Sequence, residues 1–171
     1  MSQSGTARNR VATPTHPLLN QPAPDFELPD AQGERVKLGD LHRTGWLVLY
    51  FYPKDMTPGC TTQACTFNSQ VPVWSDVRIV GISGDSPASH QKFAQRYQLA
   101  FTLLSDTDHH VAEAYGVYKR KSLYGHQFMG IERTTFLIDR AGRVRQVFAK
   151  VKVQGHAEAV AAALAALKDR P

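Results

Sequence analysis

Residues 46–65 read WLVLYFYPKDMTPGCTTQAC. The first seven, Trp46 to Tyr52, form a continuous apolar, aromatic and β-branched run, the pattern of a central strand buried on both faces of a sheet. Pro53 ends that strand. A helix is predicted to start near Pro58, with Thr57 as its N-cap and Pro58 at its first position, and to be closed by Pro72. A buried strand thus feeds a helix whose first turn holds Cys60, with Cys65 five residues on, and these are the only cysteines of the chain.

Outward from this stretch the pattern continues to alternate. Upstream, Phe26 to Leu28 and Arg35 to Leu38 read as short strands around a turn at Gly33. Downstream, Val77 to Ser83 is a second apolar strand, and Ser86 to Tyr97 a helix with Phe93 and Tyr97 on one face. Thr102 to Leu104 reads as a short strand and His110 to Tyr115 as a helix. Thr134 to Asp139, a turn at Ala141 and Gly142, and Val144 to Val151 form a hairpin. The closing HAEAVAAALAALK is a helix with Val160, Leu164 and Leu167 on one stripe. This order predicts an α/β fold with a mixed central sheet flanked by helices on both faces, as in thioredoxin-like folds.

The chain has 171 residues, 42% of them hydrophobic, enough for one sizeable core and too few for two. A single domain over residues 18–171 is expected, preceded by a flexible arm over residues 1–17 rich in Ser, Thr, Asn, Gln and Pro. The opening segment lacks the apolar core of a secretory signal, and no run of 18 uncharged apolar residues occurs, which points to a soluble, cytoplasmic protein with no membrane partner. The net charge of +5 is spread out. Arg8 and Arg10 lie in the leader, and Lys119, Arg120 and Lys121 form a short run without an aromatic ladder, so nucleic acid is not an expected partner. Two cysteines do not make a secreted disulfide framework but suit one redox pair in a reducing compartment.

A cysteine in the first turn of a helix meets backbone N–H groups that have no internal partner and the positive end of the peptide dipoles. Such a place favours thiolate over thiol, and helix starts with nearby cations bring cysteines from about 8.5 down to roughly 3.5 to 7.5. Thr57 would give its hydroxyl to the helix or to the sulfur and its attacker, while Pro53 and Pro58 stiffen the loop. Other readings of Cys60 are a buried cysteine acting as a small hydrophobe, half of a thiol–disulfide exchange pair, for which C-x-x-C is the usual spacing, and a redox sensor. Cysteines five apart do not match zinc-ligand spacing, and His109 and His110 would point about 100° apart on a helix, which leaves them surface or capping roles. Met56 and Met129 would line a substrate pocket or fill the core. With no GxGxxG and no P-loop, no cofactor and no metal is implied.

Pro53, Thr57 and Cys60 match the Pro-x-x-x-Thr/Ser-x-x-Cys signature of the peroxiredoxins, which this chain resembles from about Pro22 to Lys168. APDFELPD at 23–30, FTLLSD at 101–106 and MGIERTTFLID at 129–139 fall in matching order. Cys65 makes it most similar to the bacterioferritin comigratory, Q-type branch. The resemblance implies thiol-dependent reduction of hydrogen peroxide or organic hydroperoxides. In it Cys60 is the peroxidatic nucleophile, Cys65 resolves its sulfenic acid as an intramolecular disulfide, and Arg133 corresponds to the active-site arginine. Thr57 aligns the peroxide and Pro53 keeps water from the sulfur. A thioredoxin or glutaredoxin-like reductant and a monomeric state are further implications. The leader is longer than the resemblance requires, and Gln63 occupies a position that is acidic in some relatives. On an intact helix, Cα atoms five residues apart lie roughly 8–9 Å from each other, beyond the about 4.4–6.8 Å of a disulfide. Oxidation is therefore expected to unwind the first turns of this helix.

Overall fold

The computed structural model describes residues 15–169. In chain order its elements are β1 (Glu27–Pro29), β2 (Arg35–Lys37), α1 (Leu38–His42), β3 (Trp46–Phe51), α2 (Pro58–Asn68), β4 (Val77–Ser83), α3 (Pro87–Tyr97) and β5 (Thr102–Ser105). There follow α4 (His110–Ala114), β6 (Tyr118–Leu123), β7 (His126–Ile131), β8 (Thr134–Ile138), β9 (Val144–Phe148) and α5 (His156–Lys168). Five strands form the central sheet in the order β5-β4-β3-β8-β9. The apolar run Trp46–Phe51 takes the middle place, as its composition requires, with both of its faces covered. It runs parallel to β4, the pair being joined through α2, and antiparallel to β8.

Alternation along β3 divides the core in two. Leu47, Leu49 and Phe51 pack with Leu38 and Leu41 of α1 and Val111 and Ala112 of α4. Val48, Tyr50 and Tyr52 pack on the other face with Cys60, Ala64 and Phe67 of α2, Phe93 of α3, and Val160 and Leu164 of α5. Helices cover both faces of a mixed sheet, the thioredoxin-like α/β arrangement. The register that positions the chemistry is the pairing of Phe51 with Thr134. It sets the start of β8, and with it Arg133, beside the end of β3, where the chain turns toward Cys60.

The structure departs from the sequence reading in four places. The second short strand stops at Lys37, and Leu38 opens α1 instead, because Leu38 and Leu41 are both buried one helical turn apart. Helix α2 ends at Asn68, four residues before Pro72. At that end the Asn68 side chain is tied to the chain after α3, its amide donating to the Gln98 carbonyl (3.0 Å) and its oxygen accepting from the Ala100 N–H (2.8 Å). The β6–β7 hairpin was not expected, since its charged residues show no buried face and both strands are largely exposed. Its two-residue turn, Tyr124 and Gly125, has φ of 49° and 78°, the left-handed pair that such hairpins use. Of the expected arm, residues 1–14 lie outside the described residues, while His16 sits edge-on to Phe136 at 5.3 Å between ring centroids. Among the described residues no helix is long and apolar enough to cross a membrane.

Candidate active site

Thr57 stands at the N-cap of α2 with extended backbone, and Pro58 follows at the first helical position. The first amide to bond into the helix is that of Thr61, to the Thr57 carbonyl at 2.9 Å. Pro58 has no N–H, so the unpaired donors of the helix start are those of Gly59 and Cys60. Cys60, which carries the second of them, is buried, only 2% exposed. Cys65, on the same helix but turned about 140° from Cys60, is exposed, and both thiols are free.

Arg133 reaches this sulfur from the edge of β8. Its backbone is pinned by the Val151 N–H on its carbonyl (2.9 Å), and the neighbouring Glu132 N–H is held by Val117 (2.8 Å). One guanidinium nitrogen, Nη2, donates to Cys60 Sγ at 3.3 Å, and the other, Nη1, donates to Gln63 Oε1 at 2.5 Å. Gln63 is 1% exposed and lies one turn beyond Cys60 on the same face of α2. The rigid fork of arginine suits this two-point grip, which a lysine would not reproduce. Gly59 makes room for it, since a Cβ there would stand 3.3 Å from Nη2. The side chain of Lys121 lies close by, its Nζ donating to the Ile131 carbonyl at 2.5 Å, and burial lowers its pKa.

Thr57 makes no side-chain cap; its hydroxyl donates instead to the Lys54 carbonyl at 2.8 Å. This corrects the expected use of the hydroxyl as a helix cap or as a partner of the sulfur, because the proton goes to a carbonyl of its own tight loop. With its proton committed, the Thr57 oxygen presents lone pairs. Pro53 is exposed where the chain leaves β3. Met56 and Met129 are 41% and 48% exposed and so do not fill the core. His109 does not cap α4 through its side chain; its ring stacks on Tyr118 at 4.4 Å, and the exposed His110 pairs with Asp106 and Asp108.

Two groups of residues escaped the sequence reading. Gln63 was noted only as an uncharged residue near the thiolate, although its i+3 spacing from Cys60 places both on one helix face. Behind the loop lies a second, unforeseen cluster of Tyr52, Asp55, Asp85 and His90, in which Asp55 and His90 are buried.

Residues 19–147 match the AhpC/TSA family. The chain is 50% identical over 153 residues to the peroxiredoxin Bcp of Bacillus subtilis, covering 88% of this chain and 95% of that protein. Among solved structures it is similar to the Xanthomonas campestris bacterioferritin comigratory protein, studied for its alkyl peroxide reduction activity, at 45% identity and a TM-score of 0.78, with 82% and 90% of the two chains covered. A Xylella fastidiosa PrxQ cysteine-to-serine mutant gives 39% identity and a TM-score of 0.79 over 91% and 94%. A cysteine at a helix start, gripped by an arginine from the adjoining strand, stands in a chain alike to these relatives over most of its length: the chain belongs to the AhpC/TSA family, in its Q-type, bacterioferritin comigratory branch of peroxiredoxins, and is a thiol-dependent peroxidase.

Proposed function

We propose that Cys60 is the peroxidatic nucleophile and Cys65 the resolving thiol, acting on hydrogen peroxide and organic hydroperoxides. The observation that carries this reading is the 3.3 Å approach of Arg133 Nη2 to Cys60 Sγ at the open end of α2. The Cys60 thiolate attacks the terminal oxygen of a hydroperoxide, an S–O bond forms as the O–O bond breaks, and Cys60 becomes a sulfenic acid. The second oxygen leaves as alkoxide or hydroxide and takes a proton from solvent to become alcohol or water. Negative charge grows on that oxygen, and Arg133 with the amides of Gly59 and Cys60 stabilises it. Thr57 accepts the hydroperoxide O–H and so orients the attacked oxygen, while Pro53, lacking an N–H, offers no donor to draw water toward the sulfur.

Cys65 thiolate then attacks the Cys60 sulfenic sulfur, displacing hydroxide and leaving a Cys60–Cys65 disulfide. A dithiol of the thioredoxin or glutaredoxin type returns both to thiols. The exposure of Cys65 suits such a partner and a reducing, cytoplasmic setting, and the protein works as a monomer. The test is peroxide consumption with a thioredoxin system. Cys60→Ser abolishes turnover, whereas Cys65→Ser keeps the first oxidation, recycles slowly and lets Cys60 advance to sulfinic acid. A Cys60→Ser variant as fast as the parent would refute the assignment.

A further inference from the structure

The cluster behind the loop has no part in the steps above, yet it is built from costly components. Three donors converge on the Asp55 carboxylate: Tyr52 Oη on Oδ1 at 2.5 Å, and Ser89 Oγ (2.9 Å) and His90 Nδ1 (2.7 Å) on Oδ2. His90 is fully buried, and its Nε2 lies 3.0 Å from the Leu104 carbonyl, which only accepts, so Nε2 carries a hydrogen. His90 Nδ1 and the Asp55 carboxylate thus meet as a buried, hydrogen-bonded pair. Burying such a pair is no easy gain in stability, since an apolar replacement of similar volume often serves as well. Its value must be sought in what it holds in place.

What it holds is one peptide plane. The Lys54 carbonyl and the Asp55 N–H are the two ends of a single rigid amide. The Asp55 N–H donates to Asp85 Oδ2 at 2.8 Å, an oxygen that also takes the Ser83 hydroxyl at 2.6 Å. The Lys54 carbonyl takes the Thr57 hydroxyl. Between them Met56 has φ of 65°, a left-handed conformation that a side chain adopts only at a cost and that persists where its surroundings over-determine it. Asp55 clamps the plane through both its amide and its side chain, and His90 clamps Asp55.

We propose that His90, acting through Asp55 and the 54–55 peptide, is a positioning residue of the peroxidase reaction. It keeps the Lys54 carbonyl aimed at Thr57, so that the Thr57 proton stays committed and its lone pairs stay free for the hydroperoxide O–H. The inference rests on the peroxidatic reading of Cys60.

In a Cys65→Ser background, Cys60 oxidation by hydrogen peroxide is followed by stopped flow, and its alkylation by iodoacetamide, which needs no Thr57 contact, is followed alongside. His90→Asn keeps a donor where Nδ1 was and oxidises within about threefold of the parent. His90→Gln keeps only the donor to Leu104 and oxidises about 10- to 100-fold more slowly, as a misplacement on the order of 1 Å would cause. Alkylation stays within about twofold in both, and in a Thr57→Val background His90→Gln costs nothing more. Tyr52→Phe, which leaves the core shape intact, shows the same selective loss at smaller size and serves if His90→Gln does not fold. Oxidation at the parent rate in both His90→Gln and Tyr52→Phe would overturn the proposal. So would equal losses toward peroxide and iodoacetamide, or a His90→Gln effect that persists undiminished without the Thr57 hydroxyl. Failure of the unsubstituted Cys60 to react with peroxide strikes instead at the peroxidatic reading, before any His90 variant is made.

Discussion

At the scale of single residues the site depends on a two-pronged contact. Arg133 touches Cys60 with one nitrogen and Gln63 with the other, so its charge and its direction are separately testable. Arg133→Lys keeps the charge but cannot make both contacts, and we expect it to slow Cys60 oxidation on the order of 100-fold, the usual cost of losing one well-placed donor. Trp74 lies with its ring 6.3 Å from Phe67 of α2 and offers a fluorescence signal for this measurement. Oxidation of Arg133→Lys at the parent rate would show that charge alone suffices. Pro53, Thr57 and Cys60 were legible as candidates because a spacing motif marks them, and Arg133 only because the family resemblance points to it. Asp55 and His90 were not, since two polar residues 35 positions apart form no pattern until the fold sets them side by side. The direction of the Thr57 hydroxyl was equally hidden, being decided by a local carbonyl rather than by residue type.

At the scale of the element, α2 combines a fixed end with a weak beginning. Gly59, Thr61, Thr62 and Thr66 are poor helix formers, each roughly 0.5–1 kcal/mol worse than alanine. The hydroxyls of Thr62 and Thr66 bond back to the carbonyls of Pro58 (3.0 Å) and Thr62 (3.0 Å), which further loosens a helix. Farther along, Phe67 is buried against Tyr50 at 4.9 Å between ring centroids and holds the helix to the sheet. Trapping the Cys60–Cys65 disulfide is therefore expected to remove amide-exchange protection over residues 61–65 while β3 and β8 keep theirs. Unchanged protection would show that the thiols join without unwinding. Thr62→Ala should raise the stability of the reduced form by about 0.5 kcal/mol and slow disulfide formation after oxidation; a denaturant midpoint and a quench-flow assay read the two effects. Apolar runs made β3, β4 and β8 readable in advance. The β6–β7 hairpin lacked such a run, because a strand pair exposed on both sides needs no hydrophobic alternation.

At the scale of the whole molecule, the site is tied to the stability of the fold through His156. This residue opens α5, bonds through Nε2 to Thr135 Oγ1 at 2.8 Å, and lies between Phe67 and Phe148. Burial, with the charge of Arg133 adding to it, pushes its pKa down to about 4, against about 6.5 for an unfolded histidine. Between those values the unfolded chain takes up a proton that the native one refuses. The contribution is complete above about pH 6.5 and is lost as pH falls toward 4. The urea midpoint of the parent should accordingly fall more steeply from pH 7 to 4.5 than that of His156→Gln, and parallel curves would contradict this assignment. The account as a whole rests on a fold that brings a strand-borne arginine and an open helix end to one sulfur, and the rate of peroxide reaction at that sulfur tests it most directly. In the Cys65→Ser protein near neutral pH, Cys60 should be oxidised by hydrogen peroxide at least about 100-fold faster than free cysteine in the same buffer. A rate equal to that of free cysteine would contradict it.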